Sequence, residues 1–421
     1  MSSDAANRYR RTMPPRPGPA VVTVVGIGAD GWDGLSGAGR SALRAATALL
    51  GSRRQIELIP PPERPATTGT WPTPLLAHLP RLLDEHRGQH LAVLASGDPM
   101  HYGIGGTLVR LLDPDRVRAV PHPSVVSLAC ARLGWPVEEV DVVSAVGRPV
   151  QLLHPLVHPG RRLLVLSAGM TTPGEVAGLL TARGYGPSPL TVLEQLGGAR
   201  EQLRTATAQD WGGLDVDPLN VVAVDCRAEP GTAPLPRVPG LPDDVYEHDG
   251  QLTKREIRAV TLARLGPLPG QLLWDIGAGS GSIAIEWSRA HPQCRAVAVE
   301  HDLRRAERIA ANAATLGVPG ITVVAAAAPQ ALVGLDPPDA IFVGGGVTTS
   351  GLLDAAWSAL RPGGRLVVNA VTVESEVLLA DWYARHGGDL TRIAISRAAP
   401  VGGFTGWRPA MPVTQWVVER R

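Results

Sequence analysis

"LLWDIGAGSGSIAIEW", residues 272–287, begins as a short apolar run, turns on three glycines and resumes as apolar residues at helical spacing. A strand, a glycine turn and a helix in that order form the first half of a βαβ unit. The sequence around it repeats the alternation. Helices are predicted over 253–265, 282–290 and 302–316, and strands at "LLWDIG", "RAVAVE", "ITVVAA", "DAIFVGG" and "GRLVVNA". This order predicts a doubly wound parallel sheet with right-handed crossovers. Further on, "LTRIAIS" and "VTQWVVE" flank a Gly/Pro-rich excursion with no helix between them, which predicts antiparallel strands closing the sheet edge.

The glycines of the turn, Gly277, Gly279 and Gly281, are spaced GxGxG, and Ser282 stands where the dinucleotide fingerprint GxGxxG has its third glycine. Asp275 precedes the turn and can face a ligand amine or a water. Glu300 ends the next strand, where an acid accepts from ribose hydroxyls. Together these residues describe a pocket for S-adenosylmethionine (SAM), whose amino-acid end carries an ammonium and a carboxylate but no pyrophosphate. The turn residues Gly277, Ala278, Gly279, Ser280 and Gly281 are its expected contacts, with Asp275 and Glu300. A dinucleotide site, and with it an NAD(P)-dependent oxidoreductase, is the alternative, since serine is sometimes accommodated at the last position. "AAAAPQAL" leaves room for a flat adenine or is plain helix packing, and "IFVGGGV" places three glycines at the ligand-binding face of the sheet.

At 421 residues the chain exceeds one hydrophobic core. Strands at "VVTVVGIG", "LAVLAS", "RLLVLS", "LTVLEQL" and "LNVVAVD" define a first α/β domain over 20–226. The proline-rich stretch 227–244 reads as a linker, and 245–421 as the second domain. Residues 1–19 have no apolar core and read as a disordered tail. A net charge of +1 gives no reason to expect nucleic acid or an anionic membrane as partner, and no run of 18 apolar residues occurs. Cys130, Cys226 and Cys294 stand far apart without companion histidines, so neither a disulfide framework nor a metal site is expected, and a reducing cytoplasm fits.

The first domain has its own glycine stretch, "VVGIGADGWDGL", and later the loop "SGDPMHYGIG". With "PHPSVVSLAC" and "LSAGMTTPGEVAGLL", these segments resemble the tetrapyrrole methylase family, whose members pass methyl groups from SAM to ring carbons. The family also includes an RNA methyltransferase, so another SAM-dependent substrate stays open from this half alone. The segment running from "GLPDDVYEHDGQLTKREIR" through the glycine turn, with "SRAAPVGGFTGWRPAMPVTQW", resembles the methylating and decarboxylating half of the precorrin-6Y C5,15-methyltransferase family. The resemblance implies a fused chain. It joins a tetrapyrrole-methylase-type α/β domain to a Rossmann-like SAM-dependent methyltransferase domain, converts precorrin-6Y to precorrin-8X in cobalamin biosynthesis and forms a homo-oligomer. It implies SAM contacts from Gly97, Asp98, Ile104, Ser124 and Met170 in the first half, and from Thr253, the Gly277–Gly281 turn, Glu300 and Ala328 in the second. The family pattern often carries a histidine where this chain has Val146, which removes an acid–base role from that position.

Methyl transfer to an electron-rich carbon requires alignment rather than a nucleophilic side chain, and the chain has no GxSxG, Cys/His pair or HExxH. A substrate with many carboxylates calls for cations. His248, Lys254, Arg255 and Arg258 precede the SAM strand, and Arg397 and Arg408 lie on the Gly/Pro-rich flap. Lys254, Arg255, Arg258 and Arg408 are the expected substrate contacts, against the alternative of a solvated helix face. Trp274 and Trp287 are expected in the core, and Trp407 beside the macrocycle.

Overall fold

The computed structural model describes residues 22–421. The tail expected over 1–19 lies outside the described residues. The chain divides into a first unit running to Arg148 and from Pro159 to Thr232, and a second comprising Pro149–His158 and Ala233–Arg421.

The first unit holds two five-stranded sheets. One orders β3 (Thr67–Thr70), β2 (Ala48–Gly51), β4 (Leu91–Ser96), β1 (Val22–Ile27) and β5 (Val117–Val120), all parallel. The other orders β6 (Val140–Ser144), β7 (Arg162–Leu166), β10 (Asn220–Asp225), β8 (Pro189–Glu194) and β9 (Gln202–Thr207), antiparallel apart from the β6–β7 pair. Strand β1 is buried along almost its whole length, as a central parallel strand covered on both faces must be. The five strands predicted from sequence are β1, β4, β7, β8 and β10.

In the second unit, β11 (Leu272–Ile276), β12 (Arg295–Val299), β13 (Thr322–Val324), β14 (Ala340–Val343) and β15 (Arg365–Ala370) pair in parallel in the order β13-β12-β11-β14-β15. β16 (Asp389–Ile393) and β19 (Val413–Glu419) complete the sheet, with β19 antiparallel to both β15 and β16. The predicted antiparallel closure is thus present. The excursion between them is a hairpin of β17 (Ser396–Val401) and β18 (Phe404–Pro409).

Leu272, Trp274 and Ile276 pack into the core on one face of β11, and Leu273 into the core on the other. Period-two alternation divides a wholly buried run between two helical layers. Trp274 and Trp287 are both core residues.

The proline-rich stretch contributes a single 3-10 turn, Asp243–Val245, and its second half is strapped to the sheet domain. Leu241 and Tyr246 are buried against Ile285, Ala313 and Leu316. Glu286, on the helix Ser282–Ala290, accepts from Gly240 N at 2.6 Å, Leu241 N at 3.0 Å, Tyr246 Oη at 2.9 Å and Arg258 Nε at 2.5 Å. Burial and that carboxylate push the Tyr246 hydroxyl well above its ordinary value.

Candidate active site

Strand β11 delivers the chain to a turn that only glycine accommodates. Gly277, Gly279 and Gly281 have φ of 68°, 59° and 79°, a region that costs other residues about 1–2 kcal/mol. A Cβ on Gly277 would also lie 2.9 Å from the Gly345 carbonyl oxygen. Gly281 is the N-cap of the helix Ser282–Ala290 and has no side chain to satisfy its first amides. Asp275 does so from the strand, its Oδ2 accepting from Ala284 N at 2.9 Å. Asp275 is 1 % exposed. Burial pushes its carboxyl up to about 7, with the charge of Glu300 acting in the same direction.

The expectation that Asp275 faces a ligand is therefore corrected: it caps the helix from beneath the turn. Glu300 is the acid that faces the cavity. Its Oε2 accepts from Gly279 N at 2.9 Å, and its Oε1 accepts from Asp302 N at 3.0 Å beside His301 Nδ1 at 3.1 Å.

Above the turn lies a cavity of about 840 Å³, lined by the carboxyl ends of β11, β12, β14 and β15, by residues 250–254 and by the root of the hairpin. β11 lies between β12 and β14, so the chain leaves it toward opposite sides. Open α/β sheets bind ligands at such a switch point. Thr253, Lys254, Gly277, Ala278, Gly279, Glu300 and Ala328 all line the cavity. Ser280 and Gly281 sit behind it. The Ser280 hydroxyl donates to Gln251 O at 2.9 Å, tying residues 250–254 to the turn. Ala326, Ala327 and Ala328 form a loop at the wall rather than helix packing, and Gly344–Gly346 form the wall after β14.

The expected substrate cations separate. Lys254 lines the cavity. Arg258 does not, which corrects the sequence reading. It is 0 % exposed and bonded to Glu286, Asp243 and the Thr253 and Leu241 carbonyls, with its guanidinium over the Tyr246 ring. Lys254 itself is the N-cap, outside the helix Arg255–Leu265. Arg255 turns to the Gly240 carbonyl. Arg408 is exposed on β18 outside the lining, whereas Arg397, its register partner on β17, is inside it and paired with Glu256. Trp407 is 77 % exposed and outside the lining. Arg305, Asn369 and Met411 line the cavity without having been singled out in the sequence.

These groups fit SAM. The turn approaches without side chains, Glu300 offers a carboxylate for ribose hydroxyls, and alanine and glycine walls admit a flat base. They suit pyrophosphate poorly, because one acid occupies a turn amide and another lies beneath the turn.

In the first unit the corresponding turn follows β1. A Cβ on Gly26 would overlap the Gly97 carbonyl oxygen, and one on Gly97 would lie 3.3 Å from Ser124 Cα. Gly97 and Ser124 are therefore neighbours, with Ser124 capping the helix Val125–Leu133 through Ser127 N. Asp98 accepts from Met100 N within its own loop, Ile104 opens the helix Ile104–Leu111, and Met170 is exposed on the loop after β7. Buried His122 meets Asp30 at 3.2 Å beside Gly28. The hollow lined by Gly28, Gly97, Pro123 and Asn220 encloses about 60 Å³.

Residues 21–211 match the family described as tetrapyrrole (corrin/porphyrin) methylases, and residues 244–420 the precorrin methyltransferase domain. A precorrin-6Y C(5,15)-methyltransferase [decarboxylating] of Sinorhizobium sp is 48% identical over 405 residues, covering 94% of this chain and 97% of that protein. That of Mycobacterium tuberculosis is 49% identical, covering 95% and 100%. The chain belongs to the precorrin-6Y C(5,15)-methyltransferase family. In that family the crystallised C-terminal domain from Rhodobacter capsulatus is 48% identical, covers 44% of this chain and 99% of its own, and superposes with a TM-score of 0.42. A cobalt-precorrin-7 C(5)-methyltransferase of Salmonella typhimurium is 32% identical over 186 residues, covering 44% of this chain and 89% of that protein.

Proposed function

We propose that the chain uses SAM to methylate precorrin-6Y at C5 and C15 and removes the carboxyl group of the C12 acetate, giving precorrin-8X in cobalamin biosynthesis. The observation that carries this reading is the cavity at the switch point, where Glu300 and the glycine turn face a volume large enough for a nucleoside and part of a macrocycle. The full-length similarity to enzymes named for this reaction supports it. C15 methylation and decarboxylation belong to the second unit, and C5 methylation to the first.

When bound, SAM supplies an electrophilic methyl group. The protein's part is placement. Thr253, the turn and Glu300 would fix the cofactor's amino-acid and ribose ends, Ala328 and Gly344–Gly346 would flank its base, and Ile393, Ile395 and Met411 keep the far wall apolar. A desolvated, aligned pair of reactants needs no protein nucleophile. Loss of carbon dioxide leaves an electron pair that the conjugated ring accepts, so the residues need only hold the macrocycle with its departing carboxylate away from cations.

The test is to incubate the full chain with SAM and precorrin-6Y and weigh the product. Two methyl groups gained and one carbon dioxide lost is the expected result. Product lacking decarboxylation, or displacement of SAM by NADPH, overturns the reading. The proposal places the enzyme in the cytoplasm as a homo-oligomer. The three buried cysteines suit a reducing compartment, and exposed Phe404 and Trp407 on the hairpin suit self-association. No helix among the described residues is long and apolar enough to cross a membrane.

A further inference from the structure

The chain contains 40 lysine and arginine residues, and Lys254 is the one lysine. It lines the larger cavity. The other cations there are already matched. Arg305 Nε lies 2.9 Å from Asp249 Oδ2, Arg397 is paired with Glu256, and His301 Nδ1 lies 3.1 Å from Glu300 Oε1. Among the described residues, Lys254 makes no ion pair and no side-chain hydrogen bond.

Its backbone is nevertheless fixed. Residues 250–254 are held to the glycine turn by Ser280, buried Arg258 grips the Thr253 carbonyl, and the Lys254 carbonyl accepts from Arg258 N at 2.8 Å. An uncompensated ammonium therefore stands on a rigid base at the mouth of a cavity otherwise neutral in balance.

We propose that Lys254 anchors one peripheral carboxylate of the tetrapyrrole substrate, and that this carboxylate is one the reaction keeps. The assignment rests on the function proposed above. SAM carries a sulfonium and an ammonium against a single carboxylate, a net positive charge, so a further cation gains less from it than from a macrocycle bearing several carboxylates. The departing group is excluded on the same grounds. When its carbon–carbon bond breaks, carbon dioxide leaves neutral, the electron pair enters the ring and a proton from solvent restores the carbon. An ammonium paired with that carboxylate stabilises the reactant more than the transition state and slows the step. A compact ammonium on a flexible stem also suits a single carboxylate oxygen, where arginine's planar fork demands two.

The test uses the full chain and its variants K254Q and K254R. K254Q is expected to raise the KM for precorrin-6Y about tenfold or more, as loss of a charge pair does. Its SAM dissociation constant stays within about twofold of wild type, its product at saturating substrate has the wild-type mass, and K254R, which keeps the charge but not the shape, recovers only part of the loss. Because the chain has one lysine, acetylation read on the peptide that contains residue 254, apart from the terminal amine, reports on it directly. Precorrin-6Y is expected to slow acetylation of Lys254, and SAM alone to leave it unchanged. An unchanged KM in K254Q, a weakened SAM affinity, or protection by SAM alone overturns the assignment. Wild-type protein that fails to turn over precorrin-6Y defeats the proposed function and this assignment with it, whereas wild-type turnover with an indifferent K254Q defeats the assignment only.

Discussion

Asp275 and Ala284 are joined by a hydrogen bond of 2.9 Å between the strand's carboxylate and the helix's third amide. The pKa of Asp275 rises from 3.8 to about 7 on folding because the group is buried. The native state therefore holds a proton that the unfolded chain releases, and stability falls as pH rises from about 4 to about 7, by up to about 4 kcal/mol. Asp275→Asn keeps an acceptor for Ala284 and removes the titration. Urea unfolding at a series of pH values is expected to show the variant gaining on wild type as pH rises; a constant difference refutes the assignment.

Gly277→Ala places a methyl group against the Gly345 backbone at a φ of 68°. Neither partner is a flexible side chain, so the wall after β14 must move. SAM affinity in the second unit is expected to drop by about tenfold or more, with the strain alone near 1–2 kcal/mol. Gly279→Val should act likewise. In both variants the expected product of precorrin-6Y carries one new methyl and keeps every carboxyl, which mass spectrometry reads directly.

Arg258→Met leaves Glu286 buried without its cation. Removing one partner of such a pair costs about 3–5 kcal/mol, so thermal unfolding should come many degrees earlier. Calorimetry measures this. At a temperature where the variant remains folded, its KM for precorrin-6Y should stay far closer to wild type than that of K254Q; an equal rise would return Arg258 to the substrate site.

Gly26→Ala tests the other unit. Its methyl group would collide with the Gly97 carbonyl and the His122 backbone. The expected product has one methyl fewer but has still lost carbon dioxide, the complement of the Gly277→Ala product. Loss of both reactions would mean that the units do not work independently.

The second unit's sheet was readable because its central strands are buried on both faces and its glycine turn demands positive φ at three fixed places. Strands β2, β3, β5, β6 and β9 were harder. β2 is buried but only four residues long, and exposed β9 reads "QLRTAT", a polar edge without an apolar face. At the site, spacing identified the turn and Glu300. It could not give the direction of side chains, and Arg258 went wrong for that reason: its burial depends on Glu286, Asp243 and Tyr246, none adjacent in sequence. Asn369 was missed because an asparagine at the end of an apolar strand has no signature until Thr261 and Gln415 are seen to orient it.

Pro149–His158 belongs with the second unit although the chain returns to the first from Pro159 to Thr232. Gly317 shows how closely that decapeptide fits, since a Cβ there would lie 2.6 Å from His154 Cβ. The polypeptide passes between the units three times, so no single break divides the molecule into its two halves. A gene split at the proline-rich stretch would leave the second product without its decapeptide, and a split at residue 244 would also strip Gly240 and Leu241 from Glu286. Separating the two activities into independent polypeptides would therefore require new covering for Gly317 and Glu286 as well as a cut.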